Sequence, residues 1–340
     1  MKIDGSLSHR ITTTKADAAA LEAEGYDGVW VGETKHEPFL QLLQAAEATE
    51  RVTLGTSIAI AFGRTPLTMA HVGFDMAQYA QGRFVLGLGS QVKPHIERRF
   101  SMPWSHPAAR MREFVLGMRA IWATWQDGVK LDFQGEFYTH TLMTPFFSPE
   151  PHDFGPPPVY LAGVGERMTE VAGEVCDGFF VHPFTTRRYM DEVTLPALER
   201  GRAKSDRPDF VVNGPSFVAI GRDETELADA IRGTKEQIAF YASTPAYRGV
   251  LELHDRGELQ PELTRMSKEG KWAEMANVID DELLDLIAIV GDPQSVGKGL
   301  VERWAGTYDR LSLYTTYKID APVIAETIAA IRTADAASSS

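Results

Sequence analysis

Residues 52–89 read VTLGTSIAIAFGRTPLTMAHVGFDMAQYAQGRFVLGLG and contain two predicted strands with a helix between them. Residues 52–60 are unusually apolar, as expected of a strand whose two faces are both buried in a parallel sheet. Residues 66–80 have a helical pattern, with Pro66 near the first turn, where its missing N–H costs nothing. Residues 84–89 form the second apolar strand, so this stretch predicts a strand, a helix and a strand in succession.

The same alternation continues along the whole chain. Eight short β-rich runs are separated by helical patterns, which predicts an α/β protein with a (β/α)8 TIM barrel. A doubly wound sheet would also alternate, but the count of eight favours the barrel. The predicted strands cover residues 1–7, 28–32, 52–60, 84–89, 159–162, 178–181, 210–220 and 310–317.

Three segments are too long for a minimal barrel. Insertion loops are predicted at about 91–106, after strand four, at 127–158, and at 245–281, after strand seven. Long connections in a compact domain are usually functional lids or mobile segments. A single barrel domain is predicted over 1–333, and the small, polar residues 334–340 are expected to form a disordered tail.

Composition limits the partners of this chain. The 340 residues carry 34 Lys and Arg against 47 Asp and Glu, a net charge of −13, so the surface should repel nucleic acid. No apolar stretch reaches the roughly 20 residues of a spanning helix, and the N-terminus has no signal-peptide pattern. The single cysteine, Cys176, excludes an intrachain disulfide, which fits a reducing cytoplasm. We therefore expect a cytoplasmic protein without nucleic-acid or membrane partners.

Candidate chemistry should lie at the carboxyl ends of the strands, where barrel active sites form. Glu33 and His36 follow strand two, Ser90 and Gln91 follow strand four, and His182 follows strand six. The histidines show no short-range ligand spacing, so no metal site is predicted. A barrel glycosidase would need two facing carboxylates, but strand four ends without an acid.

Glycines at two strand ends are a second candidate feature. Gly163-Val164-Gly165 joins strand five to a helix, and glycine N–H groups at a helix N-terminus can hold a phosphate. A tight turn that needs glycine for its backbone angles explains the same spacing. Residues 87–92 begin like a dinucleotide fingerprint, but Val92 stands where the third glycine belongs, so that signal is poor.

Five segments, in order, at or beside predicted strand ends carry a family resemblance. They are GYDGVWVGETKHEPF (25–39), LGTSIA (54–59), GRFVLGLGSQ (82–91), VYLAGVG (159–165) and CDGF (176–179). Together they resemble the luciferase-like monooxygenase superfamily, in its branch that depends on the deazaflavin coenzyme F420. The resemblance extends from residue 1 to about 332. It implies a barrel with a flavin-like ring across the mouth and a non-prolyl cis peptide at Ser57–Ile58.

The resemblance also implies roles for individual residues. Glu33 matches the acid after strand two, whereas the histidine that often follows it is Thr34 here, so His36 is our substitute for proton transfer. Ser90 and Gln91 are expected to bond the ring edge, and His182 to reach the substrate or the phosphate. The predicted cofactor-binding residues are Thr56, Ser57, Ile58, Gly89, Ser90, Gln91, Gly163, Val164, Gly165 and His182.

The expected activity is hydride transfer between C5 of coenzyme F420 and an unknown small organic substrate. Glu33 or His36 would exchange the accompanying proton. An FMN-dependent monooxygenase that uses oxygen, and a non-catalytic flavin-binding barrel, are the alternatives. Cations after strand four would suit the glutamylated tail of F420 and favour it over FMN, and a homodimer is compatible with the resemblance. These cations are Lys93, Arg98, Arg99, Arg110 and Arg112.

Several candidates also have a purely structural explanation. Glu33 could pair with Lys35 or Arg64, since both are close to predicted strand ends. His36 could cap the next helix. Cys176 lies beside a buried strand, and packing explains it better than a role as a nucleophile.

Overall fold

The computed structural model describes residues 1–8 and 10–338. Parallel strands alternate with helices throughout, as the sequence predicted. The strands are β1 (Lys2–Ser6), β2 (Gly28–Val31), β3 (Thr53–Thr56), β4 (Ala59–Ile60), β5 (Phe84–Gly89), β6 (Phe133–Gln134), β7 (Thr139–His140), β8 (Val159–Ala162), β9 (Gly178–Phe180), β10 (Val211–Ile220), β11 (Ala288–Gly291) and β12 (Arg310–Tyr314).

The helices fall where apolar residues recur at helical spacing, and several begin at a capping side chain. Asp223, Asp280 and Asp292 each accept hydrogen bonds from backbone N–H groups in the first turn. The α-helices are α1 (Thr14–Ala23), α2 (Pro38–Ala48), α3 (Pro66–Tyr79), α4 (Lys93–Arg98), α5 (Pro107–Asp127), α6 (Glu166–Val175), α7 (Arg187–Tyr189), α8 (Leu195–Arg202), α9 (Glu224–Ala242), α10 (Arg248–Glu252), α11 (Leu259–Lys268), α12 (Trp272–Met275), α13 (Asp281–Ile287), α14 (Pro293–Trp304) and α15 (Ala321–Ser338).

The strand order confirms the (β/α)8 barrel. The parallel strands pair in the order β11-β10-β12-β1-β2-β3-β5-β8-β9, and β9 also pairs with β10. Eight of the described strands therefore form a closed ring, while β4 continues β3 and pairs with β5. All carboxyl ends of a parallel ring lie at one face, and the predicted site residues follow those ends.

One strand was missing from the sequence prediction. Residues 288–291 form β11, which pairs with residues 217–220 of β10, whereas β12 pairs with residues 213–217. The ten-residue strand β10 is thus long enough to serve two partners in succession. Four residues directly after a helix gave no separate strand signal in the sequence.

The three insertions are more ordered than the predicted loops. Residues 93–98 are helical, 127–158 contain the antiparallel pair β6–β7, and most of 245–281 is helical in α10 to α12. The predicted tail is wrong up to Ser338, because α15 continues through the helix-forming alanines 334, 336 and 337. Ser339 and Ser340 lie outside the described residues.

The chain divides into two compact units. The first unit comprises residues 4–180 and 197–211, and the second comprises 1–3, 181–196 and the chain from Val212 onward. The single domain predicted over 1–333 therefore contains two such units. In the first unit, buried Trp30, Val85, Tyr160 and Phe180 form an interior cluster; in the second, a larger core lies between α9, α11, α13 and β10.

A reciprocal pair of hydrogen bonds joins β3 to β5 in the first unit. The buried Thr56 hydroxyl donates to Gly87 O at 2.6 Å and accepts from Gly87 N at 2.9 Å. A Cβ at position 87 would lie 1.8 Å from Thr56 O, so only glycine allows this approach. The Thr56 side chain is therefore committed to the barrel wall.

Replacing Thr56 by Val should lower the free energy of unfolding by about 2–4 kcal/mol, because two buried backbone groups lose their partners. Thr56→Ser keeps the hydroxyl and serves as the matched control, with a loss of about 1 kcal/mol from one methyl group. Urea unfolding followed by circular dichroism measures both. Equal losses in the two variants would show that the hydroxyl contributes nothing.

Candidate active site

The segment between β3 and β4 lies at the carboxyl end of the barrel strands. The peptide bond between Ser57 and Ile58 is cis, as the resemblance implied. Ser57 N donates to Val31 O at 2.8 Å, and Ile58 O accepts from Glu33 N at 3.1 Å. Ile58 packs on the interior cluster of the first unit, whereas Ser57 is exposed. The backbone at Ser57–Ile58 is thus fixed from β2, with Ser57 open to a ligand.

Gly89 lies next to this segment. It pairs with Ile60, and a Cβ at position 89 would lie 2.8 Å from the Ile58 side chain. A side chain at Gly89 would displace Ile58, so glycine is required by packing. The next two residues bond locally: Ser90 Oγ donates to Gln91 O at 3.0 Å, and Gln91 Oε1 accepts from Val92 N at 3.0 Å. Gln91 adopts a left-handed backbone (φ 59°), and its side-chain amide nitrogen makes no hydrogen bond to a described residue.

Glu33 forms a nearly buried ion pair with Arg64. Its Oε2 accepts from Arg64 Nη1 at 2.6 Å and from Ile60 N at 2.7 Å, and its side chain is 8% exposed. Arg64 also donates from Nη2 to Glu37 Oε2 at 2.5 Å. Of the two structural partners considered from sequence, Arg64 is therefore the one found. The carboxylate ties β2 to β4 as well as carrying charge.

His36 is placed differently from Glu33. Its side chain is exposed and makes no hydrogen bond to any residue in 1–8 or 10–338. The expected alternative, a cap on the next helix, is wrong, because the Glu37 side chain accepts from Phe39 N instead. His36 keeps both ring nitrogens for solvent or a ligand.

Gly163–Gly165 connects β8 to α6, and the presence of glycine has a different explanation at each of its two glycine positions. A Cβ at position 163 would lie 2.8 Å from Met168 Cγ, so packing requires that glycine. Gly165 caps α6 with φ −89°, an angle open to any residue, and a Cβ there would meet nothing within 4 Å. The tight-turn explanation therefore fails at Gly165. Open space at the N-terminal end of a ten-residue helix fits an anion.

The charged side chains beside this helix end favour an anion. Glu166, which would repel a phosphate, is turned to Arg200, with 2.7 Å between its Oε2 and Arg200 Nη2. Arg167 is exposed and has no partner among the described residues. The one acid at this helix end, Glu166, is thus neutralised by Arg200. A phosphate here would meet the glycine segment, Arg167 and the α6 N–H groups.

The five cations after strand four are not equivalent. Lys93 and Arg112 pair with Glu97 and Glu174, at 3.7 and 2.7 Å. The other three have no carboxylate partner among the described residues: Arg98 is exposed, Arg99 donates to Thr34 O at 2.9 Å, and Arg110 to Ser105 Oγ at 2.9 Å. Arg98 and Arg99 are the cations left for an acidic tail.

His182 belongs to the second unit, where it follows β9. Its Nδ1 accepts from Phe184 N at 3.1 Å. Its ring stacks on Tyr247 at 4.3 Å and meets the edge of Tyr241 at 4.7 Å. Burial among these rings lowers the pKa of His182 to about 3. His182 is thus a neutral imidazole at physiological pH.

The tyrosines near His182 could not be recognised as a group from the sequence. Tyr241, Tyr247 and Tyr314 lie on α9, on the turn before α10 and on β12, far apart in the chain. The Tyr241 and Tyr314 hydroxyls are 2.6 Å apart. Only the folded chain brings Tyr241 and Tyr247 to His182, and Tyr314 to Tyr241.

Comparison with known proteins decides the family. The family model described as luciferase-like monooxygenase matches residues 3–310. The chain belongs to this family.

No group of three or more His, Cys, Asp or Glu side chains in the described part of the chain is arranged to hold a metal ion. None of its described helices is both long and apolar enough to cross a bilayer.

Two proteins are reported as similar to this chain in sequence. A Mycobacterium tuberculosis protein described as uncharacterized is 53% identical over 313 residues, 92% of each chain. The F420-dependent glucose-6-phosphate dehydrogenase of Rhodococcus erythropolis is 32% identical over 233 residues, 64% of this chain and 66% of that protein.

Two solved structures share the fold of this chain. The coenzyme F420-dependent tetrahydromethanopterin reductase of Methanopyrus kandleri has a TM-score of 0.75 at 18% identity and covers 96% of both chains. EDTA monooxygenase from Chelativorans has a TM-score of 0.67 at 15% identity, over 98% of this chain and 93% of that one. At these identities the likeness shows the barrel alone.

Glu33→Gln should destabilise the protein by about 1–3 kcal/mol, because it leaves Arg64 without its buried partner. Glu37→Gln is the matched control: that carboxylate bonds the same guanidinium but is 40% exposed, so the loss should stay below about 1 kcal/mol. Urea unfolding at neutral pH gives both values. A loss for Glu37→Gln as large as that for Glu33→Gln would contradict the anchoring role of Glu33.

The lowered pKa of His182 predicts a pH dependence of stability. An unfolded histidine titrates near pH 6.5, so below that pH His182 binds a proton in the unfolded chain but not in the folded chain. Between pH 7.5 and 5, this residue should cost the folded state about 1–2 kcal/mol. Urea unfolding of the wild type and of His182→Gln at both pH values measures it. If the two proteins lose stability equally, His182 titrates normally.

Proposed function

We propose that this chain is an oxidoreductase that transfers a hydride between coenzyme F420 and a small organic substrate. The observation that carries the proposal is the open space at Gly165, at the N-terminus of α6; a cis peptide at Ser57–Ile58, whose exposed serine can meet a flat ring, supports it. The F420-dependent relative, 32% identical over 233 residues, supports the same cofactor.

The residues of the first unit fit F420 in three places. The N–H groups of Gly165 and the first turn of α6, with Arg167, would hold its phosphate. Ser57, Ile58, Gly89 and the Gln91 amide would meet the deazaflavin ring. Arg98 and Arg99 would receive the glutamates of its tail, because neither is paired with a carboxylate among the residues described.

The chain's own chemistry would then be orientation and proton exchange. When bound, F420 supplies a hydride acceptor or donor at C5, and the protein supplies position and electrostatics. His36 is the better candidate for proton exchange, because its imidazole is exposed, whereas the Glu33 carboxylate holds Arg64 and Ile60 N. Glu33 would act by holding the Ser57–Ile58 backbone in place.

The test is a fluorescence titration of the purified protein with F420 and with FMN in parallel. Tighter binding of F420 supports the proposal, and the variants give its cause. Gly165→Val should weaken both cofactors at least tenfold, since both carry a phosphate at the cradle, while Arg98→Gln should weaken only F420. Arg232→Gln, an exposed arginine 2.7 Å from Asp229, is the control and should change neither affinity.

The opposite ranking overturns the proposal. If FMN binds more tightly than F420, the chain is a flavin monooxygenase like the EDTA monooxygenase that shares its fold. Oxygen consumption with reduced FMN would then follow. Gly165→Val without effect on either cofactor, in a protein of unchanged thermal stability, would remove the phosphate cradle.

A further inference from the structure

The loop after β9 carries a histidine whose surroundings hold no free charge. Residues 181–186 read VHPFTT, so His182 is the only titratable side chain on the loop. The arginines that follow it are paired: Arg187 with Asp191 at 2.9 Å and Arg188 with Glu192 at 2.8 Å. On α10, Arg248 pairs with Glu252 at 2.7 Å. Within the described part of the second unit, these three arginines therefore each have a carboxylate partner.

The proton on His182 has a fixed place. Because Nδ1 accepts the Phe184 N–H at 3.1 Å, its lone pair is used and the neutral ring must carry its proton on Nε2. Nε2 makes no hydrogen bond to a residue in the described part of the chain, and the ring is partly exposed. The ring therefore presents one uncharged N–H donor.

Three tyrosines and a threonine supply further hydroxyl groups in this part of the second unit. Tyr241 and Tyr314 share one hydrogen bond at 2.6 Å, so one of their two protons remains to be donated elsewhere. Burial raises the pKa of Tyr314, and it raises that of Tyr247 to about 12, so both stay protonated. Thr185 Oγ1, on the His182 loop, is buried without any partner among the described residues. Such an orphaned hydroxyl is costly unless something binds it.

We propose that the His182 cluster, defined by His182, Tyr241, Tyr247, Tyr314 and Thr185, binds an uncharged substrate oxygen, with His182 Nε2–H as the donor. The substrate class is a neutral ketone, aldehyde or secondary alcohol with an apolar body, since its walls are the rings of Tyr241, Tyr247 and Phe184. A neutral oxygen is favoured over a phosphate or a carboxylate, because the cluster supplies uncharged donors but no cation. This inference rests on the proposed function for its redox chemistry and on the cluster alone for its specificity.

The experiment follows the histidine itself by nitrogen-15 NMR, with and without a neutral probe. The full chain is labelled on its histidines and titrated with cyclohexanone, and in parallel with cyclohexanecarboxylate and cyclohexyl phosphate. The His182 signals are assigned by their loss in His182→Phe and in His182→Gln. At pH 7 the expected result is a neutral imidazole protonated on Nε2, whose Nε2 resonance moves and saturates with cyclohexanone and does not move with either anion.

Variants then measure how much His182 contributes to the affinity for cyclohexanone. His182→Phe keeps an aromatic ring against Tyr247 but removes the donor, and should weaken cyclohexanone about tenfold, the value of one hydrogen bond. His71→Gln, at an exposed histidine of the first unit, is the control and should leave the affinity unchanged. If His182→Phe does not fold, the wild-type titration, assigned by His182→Gln, decides alone.

Three results would overturn the inference: no movement of Nε2 with cyclohexanone, tighter binding of either anion, or a proton on Nδ1. These are independent of the cofactor. If cyclohexanone binds at His182 in a protein that does not bind F420, the proposed function is wrong and the inference stands. If F420 binds tightly but the His182 Nε2 resonance does not move with cyclohexanone, the inference is wrong and the proposed function stands.

Discussion

The carboxylate of Glu33 is the contact on which the arrangement of the candidate site depends. It accepts from Arg64 Nη1 and from Ile60 N, while the backbone N–H of the same residue donates to Ile58 O. Glu33 thus holds the chain that follows the cis Ser57–Ile58 bond to the end of β2, while Val31 O holds Ser57 on its other side. A buried ion pair stabilises little in total, but removing one partner is costly, so such a pair enforces position.

The backbone around this anchor leaves little freedom. Thr56 is locked to Gly87 on one side, and Gly89 accommodates the Ile58 side chain on the other. Both glycines are required by the close approach of a neighbouring strand or side chain. Gly165 is different, because neither its backbone angle nor its surroundings require glycine. A glycine without a packing reason at a helix N-terminus is the feature that points to a bound anion.

The two units differ in the electrostatics they offer to a ligand. The first has a helix N-terminus and Arg167, and its arginines 98 and 99 have no carboxylate partner among the described residues, a combination that suits an anion. The second offers His182, Tyr247 and Tyr314, all uncharged at neutral pH. The net charge of −13 indicates neither of these two local surfaces.

Local pattern determined much of the fold. Apolar runs and helical periodicity were enough for the eight-strand ring, since most of its strands are buried on both faces and can be recognised from their own residues. Residues 288–291 and the helices within 245–281 could not be recognised in this way, because short elements are defined by their partners. The end of α15, residues 334–338, was missed for a related reason: alanines are weak evidence in a tail and good helix formers once a helix has begun.

The sequence by itself determined the barrel, the family resemblance and the strand ends at which the candidate residues lie. Only the tertiary structure decided what each residue does there. It joined Glu33 to Arg64, left His36 exposed, and separated Gly163, required by packing, from Gly165. It also brought Tyr241 and Tyr247 to His182 from 59 and 65 residues away. Periodicity reports the burial of a face, whereas the protonation and partners of a side chain depend on neighbours that only folding brings together.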